Sequence, residues 1–241
     1  MPIFQNNDTK LYYEDYGSGF PILLIAPGGM RSAVTFWDRV AWNPIEQLSP
    51  KYRVIAMDQR NAGQSTGPIG ADDSWHTYTQ DQISLMDHLG IDTFHVAGMC
   101  IGGPYCMGLI EAAPERVVSA ILFQTIGLSE NRQAFYEMFD GWAEELKPSR
   151  PEVAPEAWEA FKENMYSGEF LFNVSQDFVS ACTTPLLVLL GDDLYHPQVT
   201  SREIVECAPN ARLIEQWKEP EHQARAKEAI EIFLKENTPS E

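Results

Sequence analysis

Cys100 stands in the string Gly98-Met99-Cys100-Ile101-Gly102, preceded by Phe94-His95-Val96-Ala97 and followed by an apolar stretch from Pro104 through Ala113. A β-branched and aromatic run that passes through a Gly-x-Cys-x-Gly turn into an apolar helix has the form of a nucleophile elbow. The central residue of such a turn adopts positive φ, and its neighbours two before and two after must be small so that strand and helix approach closely. The sulfur then stands at a helix N-terminus, where the dipole and free N–H groups favour a thiolate and a nearby oxyanion. The chemistry this suits is attack on a carbonyl carbon. On its own the string equally suits a phosphate-binding turn or a small buried thiol, so the remaining residues decide.

Three other groups have types and placements that complete such chemistry. Asp192 and Asp193 close the apolar run Pro185–Leu190, and either is a candidate to orient a histidine. His222 lies just past the last apolar run, Ala211–Trp217, and is the candidate proton carrier for Cys100. Gly28-Gly29-Met30 follows the continuous apolar run Pro21–Ala26, and the amides of Gly29 or Met30, with that of Ile101, could face an oxyanion. Asp58 and Arg60, also at a strand end, fit a loop-ordering role better than a catalytic one. His88 in the last turn of a helix and His95 inside a strand read as structural.

The elements that must position these residues follow from the hydrophobic pattern. Residues 2–17 read as a hairpin turning at Asn6-Asn7-Asp8, and buried strands are expected near 21–26, 52–57, 94–99, 117–124, 185–190 and 211–217. Between them lie amphipathic helices, including Trp75–Leu89 and a C-terminal helix ending near Leu234. Strands alternating with helices indicate a largely parallel sheet that carries its site at the strands' carboxyl ends. From about Gly127 to Ala181 strand character disappears. Two helices take its place, one with Phe135, Phe139, Trp142 and Leu146, the other with Trp158, Phe161 and Met165, separated by Lys147-Pro148-Ser149-Arg150-Pro151.

At 241 residues, one domain with a full core is expected. A net charge of −18 disfavours a nucleic-acid surface. The chain's start has no basic-then-apolar signal, and no apolar run approaches the roughly 20 residues of a membrane span, so a cytoplasmic protein is the expectation. The four cysteines, Cys100, Cys106, Cys182 and Cys207, have neither metal-site nor disulfide-framework spacing. No metal or cofactor is expected; the partner is a small-molecule substrate, and a homodimer is compatible with the composition.

Along essentially its whole length the chain resembles the α/β-hydrolase superfamily. The order nucleophile, acid, histidine matches, as do Asp58-Gln59-Arg60-Asn61-Ala62-Gly63-Gln64-Ser65, similar to the D-x-R-G-x-G-x-S segment of cap-bearing members, and Pro114-Glu115-Arg116-Val117, similar to their P-E-R-V. The resemblance implies an α/β-hydrolase fold, a mostly parallel sheet flanked by helices, with core 1–126 and 182–241 and a helical cap insertion at 127–181. It also implies a Cys100–His222–acid triad. Asp193 is the acid, because in the resembling families the acid is commonly followed four residues later by Pro, here Pro197. The departures are Cys where most members carry Ser or Asp, Pro27 in place of the usual His of the oxyanion loop, Asn61 in place of a Gly, and Glu221 where Gly often precedes the histidine. Met30, Phe36 and Trp142 are candidates to line an apolar substrate pocket. The expected function is cofactor-independent hydrolysis of an ester, thioester or lactone of a small, mostly apolar acid through an acyl-Cys100. An acyltransferase or lyase using the same triad, and a non-catalytic binding protein of the same fold, are the alternatives.

Overall fold

The computed structural model describes residues 2–40 and 42–240. Its strands are β1 (Ile3–Asn6), β2 (Thr9–Tyr16), β3 (Pro21–Ile25), β4 (Arg53–Met57), β5 (Phe94–Met99), β6 (Val117–Phe123), β7 (Leu186–Leu189) and β8 (Ala211–Ile214). They form one sheet in the order β1-β2-β4-β3-β5-β6-β7-β8, antiparallel at β1-β2 and β2-β4 and parallel elsewhere. The helices are α1 (Pro44–Leu48), α2 (Trp75–His88), α3 (Gly102–Ala112), α4 (Arg132–Leu146), α5 (Pro155–Tyr166), α6 (Gln176–Ala181), α7 (Gln198–Cys207) and α8 (Pro220–Asn237).

The apolar runs are continuous because the sheet is covered on both faces. Side chains alternate along each strand, so Leu23 and Ile25 join Val96, Leu122 and Val188 beneath α2, α3 and α7. Ile22 and Leu24 join Ala97, Ile121 and Leu189 against Ile230, Phe233 and Leu234 of α8. Each fully buried Leu or Ile contributes ~1.5–3 kcal/mol, which fixes the strand register.

Between β6 and β7 the described chain makes three α-helices rather than the expected two, with a short 3-10 turn, Lys147–Ser149, between the first two. α6 escapes the pattern because it is short and polar; Ser175 starts it by accepting from the Phe178 amide at 3.2 Å. The aromatic stripes of α4 and α5 interlock edge to face: Trp142 meets Trp158 at 5.9 Å and Phe161 at 5.9 Å, and Phe139 meets Phe161 at 5.2 Å. They rest on Trp75 and Tyr78 of α2. The last strand ends at Ile214 rather than Trp217, where the indole leaves the ladder and donates to the Leu190 carbonyl at 2.9 Å. The loop-ordering reading of Asp58 and Arg60 matches their bonds. Asp58 accepts from the amides of Val34 and Gln64, both at 2.7 Å, and Arg60 grips Asp81 with two hydrogen bonds of 2.7 and 2.8 Å. No helix among the described residues is long and apolar enough to cross a membrane.

His95 is fully buried in β5, with Nδ1 on Ser119 at 2.8 Å and Nε2 on Thr238 at 2.9 Å. Burial holds its pKa down to about 4 from an ordinary 6.5. The folded protein therefore binds the proton less readily than the unfolded chain, and stability is lost as pH falls from 6.5 toward 4. We expect this residue to account for about 3 kcal/mol of acid destabilisation. Denaturant titrations at pH 7 and pH 4.5 should show a smaller drop for His95→Gln than for the native chain; equal drops would refute the assignment.

Candidate active site

The turn between β5 and α3 places Cys100 at φ 62°. Its geometry depends on its small neighbours: a Cβ on Gly98 would lie 2.2 Å from the Gly102 carbonyl oxygen, and one on Gly102 would lie 2.6 Å from that of Ile25. Neither backbone atom can retreat, so the elbow requires glycine at both places. The Cys100 amide donates to Phe123 at 3.1 Å, and the Ile126 amide donates back to the Cys100 carbonyl at 3.2 Å, pinning the turn to the exit of β6.

The histidine beside Cys100 is His196, not His222. The loop leaving β7 closes on itself between Asp193 and His196: the two backbones bond reciprocally at 3.2 and 3.3 Å, and Asp193 Oδ1 accepts from the amides of Tyr195 at 2.9 Å and His196 at 3.0 Å. The same carboxylate holds His196 Nδ1 at 2.8 Å. Nε2 is buried and makes no aligned hydrogen bond, and the group it acts on is Cys100. Gly191 admits this arrangement, since a Cβ there would lie 2.4 Å from the His196 carbonyl oxygen; its amide is held by Ser201 at 3.2 Å.

Each of the two groups stabilises the charged form of the other. Burial opposes ionisation of Cys100, but the His196 ring and the amides of Gly28 and Ile101 outweigh it and bring the thiol below its ordinary value. Burial likewise opposes a charged His196, and Cys100 and Asp193 together overcome it, raising the imidazole. Asp193 is lowered: desolvation is outweighed by His196 and by the amides of His196 and Tyr195.

His222 lies in the first turn of α8, its amide donating to Glu219 at 2.9 Å. It lines a 520 Å³ groove between β8 and α8 with Arg212, Leu213 and Arg225. The physical reason is its position: residues 215–219 join β8 to α8, and His222 falls inside that helix, where its ring lines the groove between α8 and β8. A sequence signal for His196 existed: it follows Asp193 by three residues at the carboxyl end of a buried strand, whereas Gln216-Trp217-Lys218-Glu219-Pro220 offers no histidine before its helix starts. Asp192 turns away to pair with Lys218.

Two further expectations are corrected in position. The amide that faces the resting sulfur from the loop after β3 belongs to Gly28; Gly29 forms part of the pocket wall, and Met30 is buried in the core, 1% exposed. Ile101 is placed as expected. The cavity over Cys100 has a volume of 240 Å³ and is walled by Gly28, Gly29, Ile101, Ile126, Phe135, Met138, Tyr195 and His196. Met30, Phe36 and Trp142 are absent from that wall. Phe36 packs beside Gly28 under the Arg39 guanidinium at 4.7 Å, and Trp142 is held in the helical layer with its indole donating to the Asn61 carbonyl at 3.4 Å. Helical periodicity identified the buried face of α4 but not which turn of it reaches the cavity; Phe135 and Met138 do. Among the described residues, no three His, Cys, Asp or Glu side chains converge as a metal site.

The sequence profile of the alpha/beta hydrolase fold family matches residues 21–161. A protein of Azorhizobium caulinodans that carries the provisional name carbamate hydrolase RutD is 40% identical over 119 residues, 49% of this chain and 42% of that protein. A 2-hydroxymuconate semialdehyde hydrolase of Pseudomonas putida is 26% identical over 261 aligned positions, covering 92% of this chain and 89% of the relative. In the shorter matches the chain spans about half the length of the curated relatives. A thermophilic esterase from Thermogutta terrifontis superimposes with a TM-score of 0.68 at 25% identity, covering 95% of each chain.

Because Cys100 alone has its thiol lowered by a facing imidazole, while burial pushes Cys106 and Cys182 up, we expect it to be the fast-alkylating cysteine. The sign is set by the thiolate fraction, so the rate should persist as pH falls through the ordinary thiol range near ~8.5 and drop only below it. Peptide mapping after brief substoichiometric iodoacetamide treatment checks this. Preferential labelling of Cys106, Cys182 or Cys207 would contradict it.

Proposed function

The chain belongs to the α/β-hydrolase family, and we propose that it is a cofactor-independent thiol hydrolase acting on an ester, thioester or lactone of a small, mostly apolar acid. The observation that carries this reading is the Asp193–His196–Cys100 alignment opening into a 240 Å³ cavity. Apart from Cys100 and His196, every residue of the cavity wall is uncharged, which favours a neutral acyl group. Relatives named for carbamate, semialdehyde and ester hydrolysis support the reaction class.

In the proposed cycle the Cys100 thiolate attacks the carbonyl carbon and forms the carbon–sulfur bond. The oxyanion takes the amides of Gly28 and Ile101, which face the sulfur in the resting state. His196, protonated in the ion pair, gives its proton from Nε2 to the departing group, leaving a thioester on Cys100. Neutral His196 then draws a proton from water as the water oxygen attacks the thioester. Collapse of that adduct releases the acid and restores thiolate and imidazolium. Asp193, fixed by two amides, keeps Nδ1 protonated so that Nε2 faces the sulfur in both half-reactions.

With p-nitrophenyl acetate, His196→Ala should lower kcat/KM by roughly 10³-fold or more, while His222→Ala should stay within about twofold. The reverse ranking would return the role to His222 and overturn the reading. A second expectation comes from the sulfur. Thiolate is itself a good leaving group, so the tetrahedral adduct goes forward only when the substrate's leaving group departs comparably well. For one acyl group, kcat/KM should fall in the order aryl ester or thioester, alkyl ester, amide. General acid assistance of ~10²–10⁴-fold does not rescue an unactivated amide, and efficient amide cleavage would sink the mechanism.

A further inference from the structure

Asn131 immediately precedes α4, where an asparagine ordinarily caps the helix by accepting from its first amides. Here its side chain makes no such bond. Asn131 is only 3% exposed, and every hydrogen bond of its side chain points elsewhere. Its Nδ2 donates to the Leu194 carbonyl at 2.7 Å and to that of Gly127 at 3.1 Å, and its Oδ1 accepts from the Ser129 amide at 2.9 Å. Leu194 lies inside the turn between Asp193 and His196. One helical turn later, Phe135 packs edge-on against Tyr195 at 5.5 Å, the other residue between the acid and the base. Helix α4 therefore holds both intervening residues, and the same helix supplies Phe135 and Met138 to the cavity wall.

We infer that Asn131 is a positioning residue that seats the Asp193–His196 loop against Cys100 and makes that seating depend on the docking of the helices between β6 and β7. The inference rests on the proposed role of Asp193 and His196. The loop's own bonds fix Asp193 relative to His196, but they do not fix the pair relative to Cys100, which rides on a different strand. Leu194 is exposed and adds no core packing of its own, so the clamp on its carbonyl must come from outside the loop. A buried side chain diverted from capping leaves the first amides of α4 without that acceptor, and its bond to the Leu194 carbonyl exists only while the loop stays in place.

The test reads the pH dependence of Cys100 alkylation by iodoacetamide, because lost stability alone does not move it. In Asn131→Ala the inflection should rise by about one pH unit toward that of His196→Ala, slowing alkylation at pH 7 about tenfold. Asn131→Asp keeps the shape but cannot donate, and should do the same; it serves where the truncation lowers stability too far. Asn164→Ala is the control, since Asn164 also ties this helical layer to the core, donating to Ala71 at 2.9 Å and Asp73 at 3.1 Å, but far from the loop. It should leave the inflection in place. A native inflection in folded Asn131 variants, or an equal shift in Asn164→Ala, would overturn the inference. If His196→Ala itself leaves the inflection unmoved, the Cys100–His196 pairing falls instead, which separates the two failures.

Discussion

The imidazole of His196 facing the sulfur of Cys100 is the interaction on which the site depends. Neither group holds its charge alone: burial pushes the thiol toward neutrality and the imidazole toward its free base. Together, with Asp193 behind the ring, each reverses the other's desolvation penalty. Such a pair tolerates little displacement, because a buried charge that loses its partner costs several kcal/mol. The surrounding structure accordingly over-determines its position, from the glycines that let Cys100 stand at positive φ to the side chains that clamp the loop after β7.

In the proposed mechanism acid and base share one short loop, which has a consequence for the fold. The stretch after β8 then has no catalytic task, and it passes through Trp217, whose indole bonds Leu190, straight into α8. The stretch after β7 carries the whole burden, and it is braced accordingly. Ser201 holds the Gly191 amide, Lys218 pairs with Asp192, and Asn131 takes the Leu194 carbonyl. Constraint has moved from one loop to its neighbour.

The fold was legible in the sequence because its strands are buried on both faces and read as unbroken apolar runs, and the elbow was legible because only glycine fits at 98 and 102. The spacing to Pro197 points to Asp193, the carboxylate that holds His196 Nδ1 in the structure. The order of elements along the chain points to His222, whereas the structure sets His196 beside Cys100. His222 falls inside α8 rather than in the loop before it, and apolar runs with their flanking carboxylates do not by themselves single out His196. The pocket wall was misread for a different reason. Met30, Phe36 and Trp142 are large and apolar, but periodicity reports burial and does not separate a side chain facing a cavity from one packed in the core. The role of Asn131 has no local signature, since its partner is 63 residues away and is a backbone carbonyl.

Peptide-resolved mass spectrometry of the protein, acid-quenched during incubation with p-nitrophenyl acetate, tests the central claim most directly. The account predicts an acetyl group on the peptide bearing Cys100, formed with the native chain and largely absent with His196→Ala. Product release with no acetylated Cys100 at any quench time, or full acetylation without His196, would contradict it.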